Sequence, residues 1–224
     1  MKTATVKIVS IFILLFCVAS FSITIAGPGQ SKFHWSNGPV YEVKVTNLTR
    51  GTNFAPILVA SHKAGLSLFE LGEPASMQIK TLAELGNPGP LNDLIQPYVY
   101  ESVITGGLAP GESVTATVAT RGRFDYISVA GMLVPTNDGF FAINGVDGPI
   151  GNQSTVLYSP GYDAGTEAND EICIDAVDGP CGAEGPGAEG YVHIHAGIHG
   201  VGTLSPAESD WRNPVARIEI RRIP

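Results

Sequence analysis

Ala216-Arg217-Ile218-Glu219-Ile220-Arg221 alternates apolar and charged residues without a break. In an extended chain successive side chains point to opposite faces. Ala216, Ile218 and Ile220 therefore share one face, and Arg217, Glu219 and Arg221 share the other. That is the period of a strand buried on one side and wet on the other. Tyr41 to Thr46 repeats it with Tyr41, Val43 and Val45, and Ser113 to Thr120 repeats it with Val114, Ala116 and Val118. Pro56 to Ala60, Tyr126 to Val134, Phe140 to Asn144 and Thr155 to Tyr158 are short apolar runs between turn residues. Tyr191 to His195 completes a set of about eight candidate strands. Strands separated by Gly and Pro turns, without alternating helices, predict an all-β fold, an antiparallel β-sandwich.

One segment departs from this period. Pro74 to Leu85 carries Met77, Ile79, Leu82 and Leu85 at helical spacing, with Glu73 and Pro74 at its start and Gly86 at its stop. A second short helix is expected near Leu91 to Ile95. No Pro/Ser linker divides the chain, so the reading is one domain from about residue 30 to 224.

Composition excludes several classes. The 224 residues hold 13 Lys+Arg against 21 Asp+Glu, a net charge of −8. A nucleic-acid binder shows a basic excess or patch, which this acidic balance does not offer. With 44% apolar and 15% charged residues, the chain is too hydrophobic to remain unfolded. Its 27 Gly and 16 Pro follow no fixed period, which excludes collagen. Lys2 and Lys7 precede an apolar run from Ile8 to Phe21, and Thr24 and Ala26 are small. Residues 1–26 therefore read as a secretory signal peptide cut after Ala26, with an uncleaved anchor as the alternative. Cleavage removes Lys2 and Lys7 and takes the net charge to −10. No second apolar segment of spanning length follows, so the mature protein is expected to be secreted or periplasmic and not inserted in a membrane. Cleavage also removes Cys17, leaving Cys173 and Cys181. Two cysteines in an exported chain pair most simply with each other, the alternative being two free thiols.

Three constellations could carry chemistry. Asp163, Glu167, Asp170 and Glu171 fall within nine residues, with Gly165 and Asn169 among them. Such a loop can supply oxygen ligands to a hard cation, or it can be a solvated acidic loop. Asp138, in Pro135-Thr136-Asn137-Asp138-Gly139-Phe140, ends an apolar strand as a turn-former or as a further oxygen ligand. His193, His195 and His199 could ligate zinc or another transition metal, or could lie on the polar face of a strand and in the turn after it. Asn47-Leu48-Thr49 and Asn152-Gln153-Ser154 fit the N-glycosylation pattern. No serine nucleophile elbow, P-loop, zinc-protease helix motif or dinucleotide fingerprint is present.

Phe54-Ala55-Pro56-Ile57-Leu58-Val59-Ala60-Ser61-His62, followed by Leu85-Gly86, resembles the spondin amino-terminal domain family, which includes F-spondin and mindin. So do the stretch from Ile127 through Pro135 and Asp138 to Phe141, and the block Tyr162-Asp163-Ala164-Gly165-Thr166-Glu167. The three blocks stand in the family's order, and the resemblance covers roughly residues 40 to 222. The ending Trp211-Arg212-Asn213-Pro214-Val215-Ala216-Arg217 and the His-rich segment look like the bacterial branch. The resemblance implies a sandwich similar to calcium-dependent membrane-targeting modules, with one calcium ion near one end. It implies Asp138, Asp163 and Glu167 as ligands, Glu167 being a departure, since the animal proteins have Asp there.

The functional expectation is a secreted calcium-binding module with a binding, adhesion or extracellular-matrix role, and not an enzyme. Its partner would be a protein, a glycan or another cell-surface component. Two alternatives come from other classes. One is a metal-dependent hydrolase built on His193, His195 and His199. The other is an exported structural protein whose acidic loops only confer solubility.

Overall fold

A computed structural model describes residues 38–173, 181 and 187–224. The expected signal peptide, residues 1–26, lies outside the described residues, as do residues 30–37 of the expected domain. In chain order the elements begin with β1 (Val40–Asn47), β2 (Asn53–Phe54) and β3 (Leu58–His62). Two helices follow, α1 (Met77–Leu85) and α2 (Gly89–Ile95), and then β4 (Val99–Ile104), β5 (Ser113–Ala119) and β6 (Tyr126–Val134). The chain continues through β7 (Gly139–Asp147), β8 (Ser154–Ser159), β9 (Gly161–Asp163) and β10 (His193–Ile194). It ends with α3 (Pro206–Ser209) and β11 (Ala216–Ile223).

The strands form two antiparallel sheets. One has four strands in the order β5-β1-β11-β8. The other has seven, running β10-β9-β7-β6-β3-β4 with β2 paired to β6. The alternating segments quoted above all lie in the smaller sheet. Val43 faces Ile220 in the register and Val45 faces Ile218. These residues are fully buried, and the charged positions between them look outward. Glu42 and Arg221, neighbours on that outer face, form an ion pair.

The larger sheet is covered on both faces. Val59, Val129 and Phe141 pack inward against Val43, Ile218 and Ile220 of the opposite sheet. Leu58, Ala130, Phe140 and Ala142 pack the other way, against Ile79, Leu82, Leu91 and Ile95 of the two helices. A strand buried on both faces needs apolar residues at consecutive positions, which is why β6 and β7 read as runs and not as alternations. Gly131 lies where β6 meets the Phe141 ring, and a Cβ there would stand 2.8 Å from that ring.

The departures from the sequence reading are local. Among the described residues eleven strands stand where about eight were expected, because the two-residue β2 and three-residue β9 are too short to show a period. Strand β4 leaves no alternation in the sequence, because Val99 to Val103 are all half-buried and Ile104 is exposed. Helix α1 starts at Met77, not at Pro74, because the Ser76 side chain caps it by accepting from the Ile79 amide at 3.2 Å. Its stop at Gly86 is as expected, with φ at 62°. In the fold Asn47, the asparagine of its sequon, is not open to solvent. It is fully buried, and its side-chain amide donates to the carbonyls of Thr52 and Leu108 at 2.8 and 3.2 Å.

Cys173 and Cys181 form a disulfide, and both sulfurs belong to the core between the sheets. The Cys181 amide also donates to the Thr136 carbonyl, so the bridge anchors to the turn after β6. The two cysteines are 8 positions apart. Closing a loop of that size in the unfolded chain restricts it by about 2.5 kcal/mol. Changing both cysteines to serine is therefore expected to lower the Tm by roughly 5–10 °C, read in a thermal melt. An unchanged Tm would mean that the bridge constrains nothing the fold does not already hold.

Candidate metal centre

Three strand ends meet at one edge of the larger sheet. In the antiparallel register Asp163 of β9 lies opposite Gly139 of β7 on one side and opposite His193 of β10 on the other. Asp138 immediately precedes β7. Residues separated by 25 to 55 positions in sequence are thus placed side by side by backbone pairing.

The turn that carries Asp138 is fixed by its own polar side chains. The Thr136 hydroxyl donates to the Leu133 carbonyl at 2.6 Å and accepts from the Gly139 amide at 2.9 Å. The Asn137 side chain donates to Asp170 and accepts from the Glu171 amide. Asp138 is fully buried. Its Oδ2 accepts from the Thr166 amide at 2.6 Å, the Glu167 amide at 3.1 Å and the Thr166 hydroxyl at 3.2 Å. Its Oδ1 is buried without a hydrogen-bond partner. Burial pushes the Asp138 carboxyl up to about 6, and the negative charge of Asp163 adds to the rise.

Asp163 is also fully buried. Its Oδ1 accepts from the Gly165 amide at 2.7 Å, and its Oδ2 accepts from the Asn169 side-chain amide at 2.6 Å. Gly165 has φ at +65°, and a Cβ there would stand 2.3 Å from the Tyr191 carbonyl oxygen. Only glycine lets the acidic loop approach the segment leading into β10 this closely. Glu167, the third expected ligand, lies in the same loop with its side chain nearly buried, and its backbone amide contacts Asp138.

Among the described residues, the three side chains that bring ligand atoms within 4.8 Å of one another are Asp163, Glu189 and His193. The His193 Nε2 stands 3.5 Å from Asp163 Oδ1 and 3.8 Å from Glu189 Oε2. Burial works to lower the His193 pKa, but the Ile194 carbonyl and the two carboxylates outweigh it and hold it above the ordinary imidazole value. Glu189 was not foreseen from sequence. Its one signal is a carboxylate four positions before His193, which gains meaning only through the β9–β10 pairing.

The other two histidines stay outside this set of three, although His195 lies near enough for the charges of Asp163 and His193 to act on it, and its Nε2 is buried without a partner. His195 is buried with its ring 4.9 Å from that of Trp211, and its Nδ1 accepts from the Gly197 amide at 3.0 Å. An accepting Nδ1 puts the proton of the neutral ring on Nε2, which then offers no lone pair to an ion. Burial also lowers the His195 pKa and favours that neutral form. His199 is exposed and shares with His195, Trp211 and Arg212 the lining of a pocket of about 260 Å³. Of the three expected histidines, His193 alone enters the carboxylate cluster.

The acidic loop divides its work. The Glu171 carboxylate accepts from three consecutive amides, those of His199 and Gly200 at 2.6 Å and of Val201 at 2.9 Å. Asp170 accepts from Asn137 and from the Ile172 amide. These two residues build the loops, while Asp138 and Asp163 supply the charge at the edge.

Residues 19–169 match the family model of the spondin N-terminal domain. The chain belongs to the spondin N-terminal domain family. No curated protein matches it. The spondin match ends at Asn169, so Asp138, Asp163 and Glu167 lie inside it, and Glu189 and His193 lie beyond. A spondin domain with a disulfide is compatible with an extracellular location, and no described helix is long and apolar enough to cross a membrane.

Proposed function

We propose that this spondin domain is a secreted or periplasmic calcium-binding module that attaches to a protein, glycan or other cell-surface partner, and that it is not an enzyme. The observation that carries the calcium reading is the buried Asp138–Asp163 pair with Asp138 Oδ1 unpartnered. Two buried carboxylates repel, and a buried oxygen without a partner costs about 1–3 kcal/mol. A hard divalent cation answers both problems, and an all-oxygen set suits calcium. Asp138 and Asp163 would hold the ion; Glu167 lies in the same loop, but its carboxylate is not gathered with theirs within 4.8 Å. Bound there, calcium would neutralise the edge and tie the turn after β6 to the loop after β9. The partner-binding part of the reading rests on family membership alone.

The pH dependence supplies a test. Asp138 titrates near 3.8 when unfolded and near 6 when folded. Between those values the folded state binds more protons than the unfolded one, so stability falls as pH rises through that window. Metal-free protein is therefore expected to be about 2–3 kcal/mol less stable at pH 7 than at pH 4 on account of this group. Millimolar calcium at pH 7 should restore that loss, and at pH 4 it should do little. Thermal melts with and without chelator read both. A calcium effect that is absent at pH 7, or equal at the two pH values, would reject the site.

A further inference from the structure

We propose that Asp163, Glu189 and His193 form a second cation site, selective for a borderline divalent transition metal such as zinc. It shares Asp163 with the calcium reading but draws on neither Asp138 nor Glu167, so Glu189 and His193 test it separately.

Four observations converge on this site. The first is the tautomer of His193. Its Nδ1 lies 3.1 Å from the Ile194 carbonyl oxygen, which can only accept. Nδ1 therefore carries the proton of the neutral ring, and Nε2 presents a lone pair. A metal-ligating imidazole is commonly held this way, with its other nitrogen donating to a backbone carbonyl. The second is that Nε2 is buried and has no hydrogen-bond partner.

The third observation is distance. Nε2 stands 3.5 Å from Asp163 Oδ1 and 3.8 Å from Glu189 Oε2. These gaps are too long for hydrogen bonds. Two ligands bound tetrahedrally at about 2.1 Å from one ion stand roughly 3.4 Å apart, so the gaps fit a shared ion. The fourth is the support behind the carboxylates. One amide nitrogen, Asn169 Nδ2, donates to Asp163 Oδ2 at 2.6 Å and to Glu189 Oε1 at 3.3 Å. It holds the outer oxygen of each carboxylate; the inner oxygens, Oδ1 (which also accepts from the Gly165 amide) and Oε2, are the ones nearest His193.

The donor set decides the metal class. One imidazole with two carboxylates suits zinc and its neighbours, whereas calcium and magnesium favour oxygen alone. The His193 and Glu189 side chains are 26% and 30% exposed, so solvent or a ligand atom from a partner can complete the shell. The site then serves as a metal-dependent contact point at the same edge as the calcium pair.

Zinc titration of chelator-stripped mature protein by calorimetry tests the proposal, at neutral pH and with calcium titration as the parallel reading. Wild type is expected to bind one zinc ion with His193 engaged. His193→Ala and Glu189→Gln should weaken that binding by tenfold or more while leaving the calcium-induced rise in Tm intact, which also reports that the variants fold. Asn169→Ala should weaken zinc by about 10–100-fold, as loss of an outer support does elsewhere. Asp138→Asn should lose the calcium effect and keep zinc. His199→Ala should keep both. Zinc affinity unchanged in His193→Ala would overturn the proposal, as would zinc lost in His199→Ala. So would an absence of zinc binding in wild type, which would make the cluster an imidazolium–carboxylate ion pair only.

Discussion

Asp138→Asn is expected to raise the Tm of the metal-free protein at neutral pH and to abolish the further rise that calcium produces. The sign is unusual for a change at a fully buried polar residue, and it follows from the two oxygens of Asp138. Oδ2 accepts three hydrogen bonds from Thr166 and Glu167, and an amide oxygen can accept all three in its place. Oδ1 has no partner and shares the edge with Asp163. Asparagine replaces that oxygen with a donor and removes one of two like charges. The gain should be about 1–3 kcal/mol at pH 7, or roughly 3–10 °C in Tm. It should vanish below pH 4, where the native carboxyl is already protonated. A loss of stability at pH 7 would mean that Asp138 is satisfied without a cation.

Glu171→Ala is expected to destabilise the domain by about 3–5 kcal/mol and to lower the Tm by roughly 10 °C or more. Its carboxylate is nearly buried and accepts the amides of His199, Gly200 and Val201, while its carbonyl accepts those of Thr203 and Leu204. Removing the carboxylate leaves three consecutive amides without their acceptor in a loop that has no regular structure to take them up. The backbone at Glu171 is left-handed, with φ at 55°, a conformation these contacts hold in place. Glu171→Gln keeps one acceptor oxygen and should lose about half as much. A Tm within about 2 °C of wild type for the alanine variant would show that water replaces the carboxylate without cost.

The sandwich was legible because burial on one face writes a period of two into the chain. β1, β5 and β11 carry that period, and the structure pairs all three in one sheet. The runs in β6 and β7 signalled strands, but not that helices α1 and α2 would cover their far side. Helix α1 itself was visible, though its start depended on Ser76, a cap that a reading centred on Pro74 passed over. At the site, Asp138 and Asp163 were recognisable from family motifs and from the chemistry of paired carboxylates. Glu189 was not. It acquires a role through a three-residue strand pairing with a two-residue strand, and neither leaves a pattern long enough to read. The same limit hid the separation of the histidines. Alternation places His193 and His195 alike only where a strand continues, and β10 ends at Ile194.

The acidic loop shows why a cluster of charge does not define a site by composition. Asp163, Glu167, Asp170 and Glu171 look equivalent in sequence. In the fold, Glu171 and Asp170 are consumed by backbone and side-chain donors, and Asp163 alone among them lies opposite both Gly139 and His193 in the register. Glu171 spends both oxygens on loop amides, whereas Asp138 keeps one buried oxygen without a donor beside the charge of Asp163.

The Asp138–Asp163 edge is proposed to be a calcium site. Calorimetric titration of calcium into chelator-stripped mature protein at pH 7.5 tests it most directly, with Asp138→Asn run beside wild type. Wild type is expected to bind one ion per chain and the variant none, with the variant fully folded. Calcium binding that survives Asp138→Asn unchanged, or no calcium binding in wild type, would contradict it.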